Sequence, residues 1–89
     1  MFALLSLMAI NTPLVTSQPE IGKLIRELRL ETGLTQQKFA AGLGVTYPTV
    51  SRWENGLAQP SPLAIKKIEQ QLRQIGERRQ DLLKQYLKQ

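Results

Sequence analysis

Leu34–Gly56, LTQQKFAAGLGVTYPTVSRWENG, is the stretch whose reading decides the fold. It divides into two short helical patterns joined by the corner Leu43-Gly44-Val45. The first is expected to run from a Thr35 cap to about Leu43, the second from a Thr46 cap to about Asn55. A threonine placed just before a helix can accept from first-turn N–H groups that have no intrahelical partner. Phe39, Ala40, Leu43, Val45, Val50 and Trp53 fall where two crossing helices share one core. Two such helices with a tight glycine corner make a helix-turn-helix, whose second helix can enter the major groove of DNA.

Upstream, Ser17-Gln18-Pro19-Glu20 has the spacing of a capping box, with proline tolerated in the first turn. It is expected to open a helix running to about Glu31. Ile21, Leu24, Ile25 and Leu28 repeat at i, i+3, i+4 and i+7 as one buried stripe, with Lys23, Arg26 and Glu27 on the wet side. Gly33 suits a left-handed cap that ends this helix before Leu34.

Downstream, Gly56 reads as another terminator and Ala58-Gln59-Pro60 as a linker. Ser61-Pro62 then starts a further helix, a hydroxyl cap followed by proline at the first position. Ile65, Ile68, Leu72, Ile75, Leu82 and Tyr86 fit a and d heptad positions, with Arg79 as a polar intruder. Gly76 interrupts them at a helix-propensity cost of about 1 kcal/mol. Two arrangements stay open. Either one long helix runs from Ser61 to about Lys88 and pairs with another subunit, or the chain breaks near Gly76. In the second case a separate last helix packs Leu82, Leu83, Tyr86 and Leu87. Either way, an apolar stripe so late in a small chain points to a homodimer contact.

Met1–Ile10, MFALLSLMAI, is apolar and uncharged. It falls short of the roughly 20 residues that span a bilayer, and it lacks the basic residues that precede the apolar part of a secretory signal. It reads as a frayed tail, as a segment covering a dimer interface or the core, or as an upstream start with Met8 the true initiator. A dimer-interface or packing role is preferred, because a free apolar decamer is an aggregation hazard. No membrane partner is expected.

The 89 residues hold one small domain, with no room for a second full core. Neither cysteine nor histidine occurs, which removes disulfides, thiolate metal sites and most general bases and nucleophiles. No paired-carboxylate spacing stands in for them. No catalytic residue, metal ligand or cofactor is therefore expected, and the chain is not read as an enzyme. The net charge of +5 and pI near 10 fit a polyanionic partner. The charge is uneven. Residues 20–60 carry five basic and four acidic side chains, and residues 61–89 carry seven and three.

Beyond these local signals, Leu34-Thr35-Gln36, Phe39-Ala40, Leu43-Gly44-Val45 and Val50-Ser51-Arg52-Trp53-Glu54-Asn55-Gly56 together resemble the Xre/Cro/phage-repressor family of helix-turn-helix domains. The resemblance covers about Ile21 to Leu72. It implies an all-α fold, a compact, lambda-repressor-like bundle of about five helices. It also implies a DNA-binding transcriptional regulator acting on a near-palindromic operator, usually as a dimer. Relatives that serve as antitoxins or coactivator modules keep open a second reading, a protein-interaction module that binds a partner protein.

On a helical wheel anchored at Val50 and Trp53, Pro48 and Arg52 point the opposite way, flanked by Thr49 and Ser51. Tyr47 sits at the helix tip, which in this family faces the groove. The expected base-reading set is therefore Tyr47, Pro48, Thr49, Ser51 and Arg52. Arg52 leads it, because a guanidinium can bond guanine O6 and N7 together. Pro48 departs from the family, offering only apolar surface where relatives often carry a hydrogen-bonding side chain. The resemblance carries phosphate contacts over to Gln36 and Asn55. Thr46 shares its hydroxyl between a cap and a phosphate, and Lys38, where many relatives have glutamate, favours a phosphate as well. It also makes Glu54 the structural partner of Arg29 in a partly buried ion pair, and Trp53 reads as core.

The domain reading is thus an apolar segment at residues 1–16 and a helix-turn-helix domain at 17–73. A C-terminal helical extension at 74–89 follows, available for dimerisation. The expected partners are double-stranded DNA and a second copy of the chain, in the cytoplasm with the nucleoid.

Overall fold

The computed structural model describes residues 16–76 and 78–86. The expectations for Met1–Ile10 and for Leu87 lie outside the described residues. Five helices follow one another: α1 Glu20–Glu31, α2 Gln36–Leu43, α3 Tyr47–Glu54, α4 Pro62–Ile75 and α5 Gln80–Tyr86. The described residues are all-helical, in the five-helix arrangement the sequence implies.

Ile21, Leu24, Ile25 and Leu28 are fully buried on one side of α1, so the 3.6-residue period alone selects its inner face. The start of that helix differs from expectation. Pro19 occupies the cap position and no side chain caps there, so the Ser17–Glu20 capping box does not form. Gln18 takes over by reaching across the molecule. Its Oε1 accepts from the Gly22 N–H at 3.1 Å, while its Nε2 donates to the carbonyls of Trp53 at 3.0 Å and Ala58 at 2.7 Å. The helix start is thus fixed by a tertiary contact with the end of α3, which a local pattern does not contain.

Helices α1, α2 and α3 each end in the same way. The glycine N–H bonds three residues back and the next N–H bonds five residues back, as with Gly44 to Ala41 at 3.2 Å and Val45 to Ala40 at 3.0 Å. At the α2–α3 corner Gly44 has φ +74°, a left-handed conformation that costs a glycine nothing and lets the chain reverse within three residues. Phe39, Ala40 and Leu43 of α2 then meet Val50 and Trp53 of α3 in the core.

Ser61 caps α4 by accepting from the Ala64 N–H at 3.2 Å, with Pro62 next to it at the first position. Of the two arrangements left open for the C-terminal part, the break is the one adopted, and no continuous helix crosses Gly76. Gly76 is buried, and a Cβ there would lie 2.8 Å from Leu83 Cδ2. The missing side chain leaves room for Leu83 where α5 folds back against α4. Leu82 and Tyr86 consequently join the same core as Ile68, Leu72 and Ile75. The apolar stripe that would have made a coiled-coil seam is buried within one subunit.

Candidate nucleic-acid interface

The outward face of α3 follows from its inward one. Val50 and Trp53 are buried against α1 and α2, so a helix of 3.6 residues per turn must turn Pro48 and Arg52 outward. Tyr47, Pro48 and Arg52 are exposed, and Thr49 and Ser51 are half-buried at the two margins. Tyr47 keeps 48% of its surface in solvent, unusual for an aromatic in so small a domain. The structure therefore brings the five expected base-reading residues together on one helix.

Arg52 has a distinctive electrostatic position. Arg26 and Arg29 pair with Glu54, Arg73 with Glu69, Arg78 with Glu31, and Arg79 with Glu31 and Asp81. Arg52 forms neither an ion pair nor a side-chain hydrogen bond among the described residues. Among the described arginines it alone has no carboxylate within 4.0 Å, while Arg26 and Arg78, 57% and 63% exposed, are paired at 3.5 Å.

The other expected contacts are arranged less openly. Gln36, half-buried at the start of α2, donates its Nε2 to Glu54 Oε1 at 3.1 Å. Asn55 folds back onto its own helix, its Nδ2 donating to the Ser51 carbonyl at 2.8 Å. Lys38 is exposed and makes no ion pair among the described residues. Thr35 caps α2 as expected, accepting from the Lys38 N–H at 3.1 Å.

Thr46 does not cap α3, which corrects the sequence reading. A capping side chain accepts from the second or third N–H of its helix. Here the second residue is Pro48, which has no N–H, and the third N–H, that of Thr49, bonds to the Thr46 carbonyl at 3.1 Å. The Thr46 hydroxyl is thereby released from the backbone. It turns to the Thr49 hydroxyl, with the two oxygens 2.7 Å apart.

Behind this face, the Glu54 carboxylate ties three helices together. Its side chain has 0% exposure, and Arg29 bonds it from α1 through Nε at 2.8 Å and Nη2 at 3.1 Å. Arg29 Nη1 also donates to the Leu34 carbonyl at 3.2 Å. Burial pushes the Glu54 carboxyl up, but the hydrogen bonds from Arg29 and Gln36 outweigh it and hold the group below the ordinary carboxylate range. Arg29 is raised correspondingly, chiefly by its hydrogen bond to Glu54. Arg26, 3.5 Å from the same carboxylate, and Gln18 were not singled out by sequence reasoning, because neither belongs to a local pattern.

Fold and exposed helix face together define a helix-turn-helix protein. A family model described as Helix-turn-helix matches residues 25–77, more than half of the chain. The chain belongs to the Xre/lambda-repressor-like helix-turn-helix family, a family of DNA-binding regulators. No curated protein and no solved structure matches it. Among the described residues no helix is long and apolar enough to cross a membrane, and no group of side chains could hold a metal ion.

Proposed function

We propose that this chain is a sequence-specific transcriptional regulator that inserts α3 into the major groove and binds a near-palindromic operator as a homodimer, in the cytoplasm with the nucleoid. The observation that carries the reading is Arg52, an exposed arginine without an intrachain partner among the described residues, on a helix whose other outward residues are Tyr47 and Pro48. Arg29, Arg73 and Arg79 hold carboxylates at 2.7–3.0 Å, whereas Arg52 on this face has no such partner among the described residues and carries the fork geometry that reads guanine.

Lys38 at the start of α2 and Thr46 at the start of α3 lie on the elements that would flank the groove, where phosphate contacts set position rather than sequence. Support for a second copy comes from Leu57, 70% exposed on the link between α3 and α4, and Leu63, 65% exposed in the first turn of α4. A contact there would follow directly on the reading helix, and two half-sites would then lie about 34 Å apart.

Selection of bound duplexes from a random pool, with the mass of the protein measured in solution, tests the reading. A palindromic motif bound by a dimer is expected. Arg52→Ala should relax preference at one base pair by about 1–3 kcal/mol. Uniform weakening across all sequences would reduce Arg52 to a phosphate contact. Affinity that does not fall as salt rises would instead favour a protein partner, because phosphate neutralisation always leaves a salt slope.

A further inference from the structure

The two threonine hydroxyls at the start of α3 form a pair that neither residue type alone predicts. Each hydroxyl carries one proton and can accept at its oxygen. At an O···O distance of 2.7 Å one of the two protons lies between them, leaving a single proton for the outside. Whichever hydroxyl donates internally can only accept externally. The pair is therefore a polarity relay, in which the partner of one threonine dictates what the other presents.

Helix α3 gives the two ends different surroundings. Thr46 precedes the helix, is exposed, and its hydroxyl caps no backbone N–H. Thr49 lies one turn in, at the margin of the face that carries Pro48 and Arg52. In the DNA-binding reading, on which this inference rests, Thr46 meets the phosphate edge and Thr49 the base edges. Phosphate oxygens only accept, so Thr46 must give its proton outward. The Thr49 hydroxyl then donates to Thr46 and turns lone pairs toward the groove.

We propose that Thr46 sets the base preference of Thr49 through this hydroxyl pair, making Thr49 an acceptor that selects an exocyclic amino group, adenine N6 or cytosine N4. The reversed base pair puts a keto oxygen at that place and leaves two acceptors facing each other. Thr46 is in this sense a positioning residue, setting a preference at a base it does not touch. The Thr49 N–H, at the position that Thr35 and Ser61 serve in their own helices, bonds the Thr46 carbonyl, and the Thr46 hydroxyl is left to the relay.

The test compares wild type, Thr46→Val, Thr46→Ser and Thr49→Val against the selected duplex with each base pair exchanged in turn. Thr49→Val marks the base pair that Thr49 reads. At that pair wild type should prefer the amino-bearing base by roughly tenfold, the scale of one mismatched contact. Thr46→Val should abolish that preference, because the Thr49 proton becomes free to turn outward, whereas Thr46→Ser should retain it. Melting temperatures should be unchanged in both Thr46 variants, since this hydroxyl caps no backbone group. A guanine or thymine preference at the Thr49 position overturns the relay. So does a Thr46→Val variant that weakens every duplex equally and keeps the preference, or a Thr49→Val variant with no altered base pair. A wild-type protein that binds no duplex removes the DNA-binding reading itself, which separates that failure from failure of the relay.

Discussion

Replacing Glu54 by alanine tests the ion pair that links the end of α3 to α1 and α2. The carboxylate is fully screened from solvent and receives two hydrogen bonds from Arg29 and one from Gln36. Removing one partner of a buried ion pair costs about 3–5 kcal/mol, because the other charge is stranded. Two features of the site place the loss within that span. Arg29 keeps its bond to the Leu34 carbonyl and 14% side-chain exposure, which favours the lower end, about 3 kcal/mol. The Gln36 amide loses its acceptor, adding about 1 kcal/mol. Arg26, 57% exposed, adds almost nothing, as surface pairs usually do.

A loss of about 3–4 kcal/mol should lower the melting temperature of a domain this size by roughly 12–30 °C, followed by circular dichroism at neutral pH. The pH dependence supplies a second readout. Because the folded carboxyl sits below its ordinary value, its contribution is fully present above the unfolded value of about 4.3 and is lost as pH falls through the lower folded value. The gap between wild type and Glu54→Ala should thus stay constant from neutral pH down to about 5 and close in more acid solution. A melting temperature lowered by less than about 4 °C, the scale of an exposed pair, would refute the reasoning. So would a gap that ignores acid.

Two further substitutions probe how α1 is joined to the end of α3. Gln18→Ala removes the donor to the Trp53 and Ala58 carbonyls and the acceptor of the Gly22 N–H, and should cost about 2–3 kcal/mol in thermal or urea unfolding, near 1 kcal/mol per bond. An unchanged midpoint would show that water replaces the amide freely. Gly22→Ala would drive a methyl into the Trp53 carbonyl oxygen and to 2.9 Å from Gln18 Oε1. Overpacking of about 1–3 kcal/mol should outweigh the roughly 1 kcal/mol that alanine gains in a helix, so the variant should unfold at lower denaturant. A more stable Gly22→Ala would mean that α1 and α3 do not approach this closely.

What could be read from the sequence was whatever local rules determine. The α1 stripe, the Thr35 and Ser61 caps and the reversal at Gly44 each depend on residues within about one helical turn, where periodicity and capping act. Thr46 has the same local form as Thr35, yet it does not cap: the Thr49 N–H bonds the Thr46 carbonyl and the Thr46 hydroxyl pairs with the Thr49 hydroxyl, a choice that the local pattern does not contain. Gln18 was not legible in the same way, since its partners are 35 and 40 residues away. Nor was the break at Gly76, where propensity set only a cost and the packing of Leu82 and Tyr86 into the core is a tertiary matter. In the interface, the order of outward residues on α3 was legible from the wheel, whereas the engagement of Gln36 and Asn55 with their own chain was not.

The arginines and lysines of the chain are used differently. Seven of the twelve basic residues lie beyond Pro60. Arg73, Arg78 and Arg79 there are held by Glu69, Glu31 and Asp81, and Arg79 bonds Glu31 at 2.7 Å to fasten the start of α5 to the end of α1. A guanidinium already holding a carboxylate must break that bond before it can neutralise a phosphate. Lysine behaves differently in this chain: Lys23, Lys38, Lys66 and Lys84 are exposed and form no ion pair among the described residues. Fastening falls to arginine, whose fork fixes geometry, and diffuse attraction to lysine, whose ammonium does not. Arg52 is the exception to that division. In the proposed reading, an arginine left without a carboxylate on the outward face of α3 is the group whose fork meets the bases.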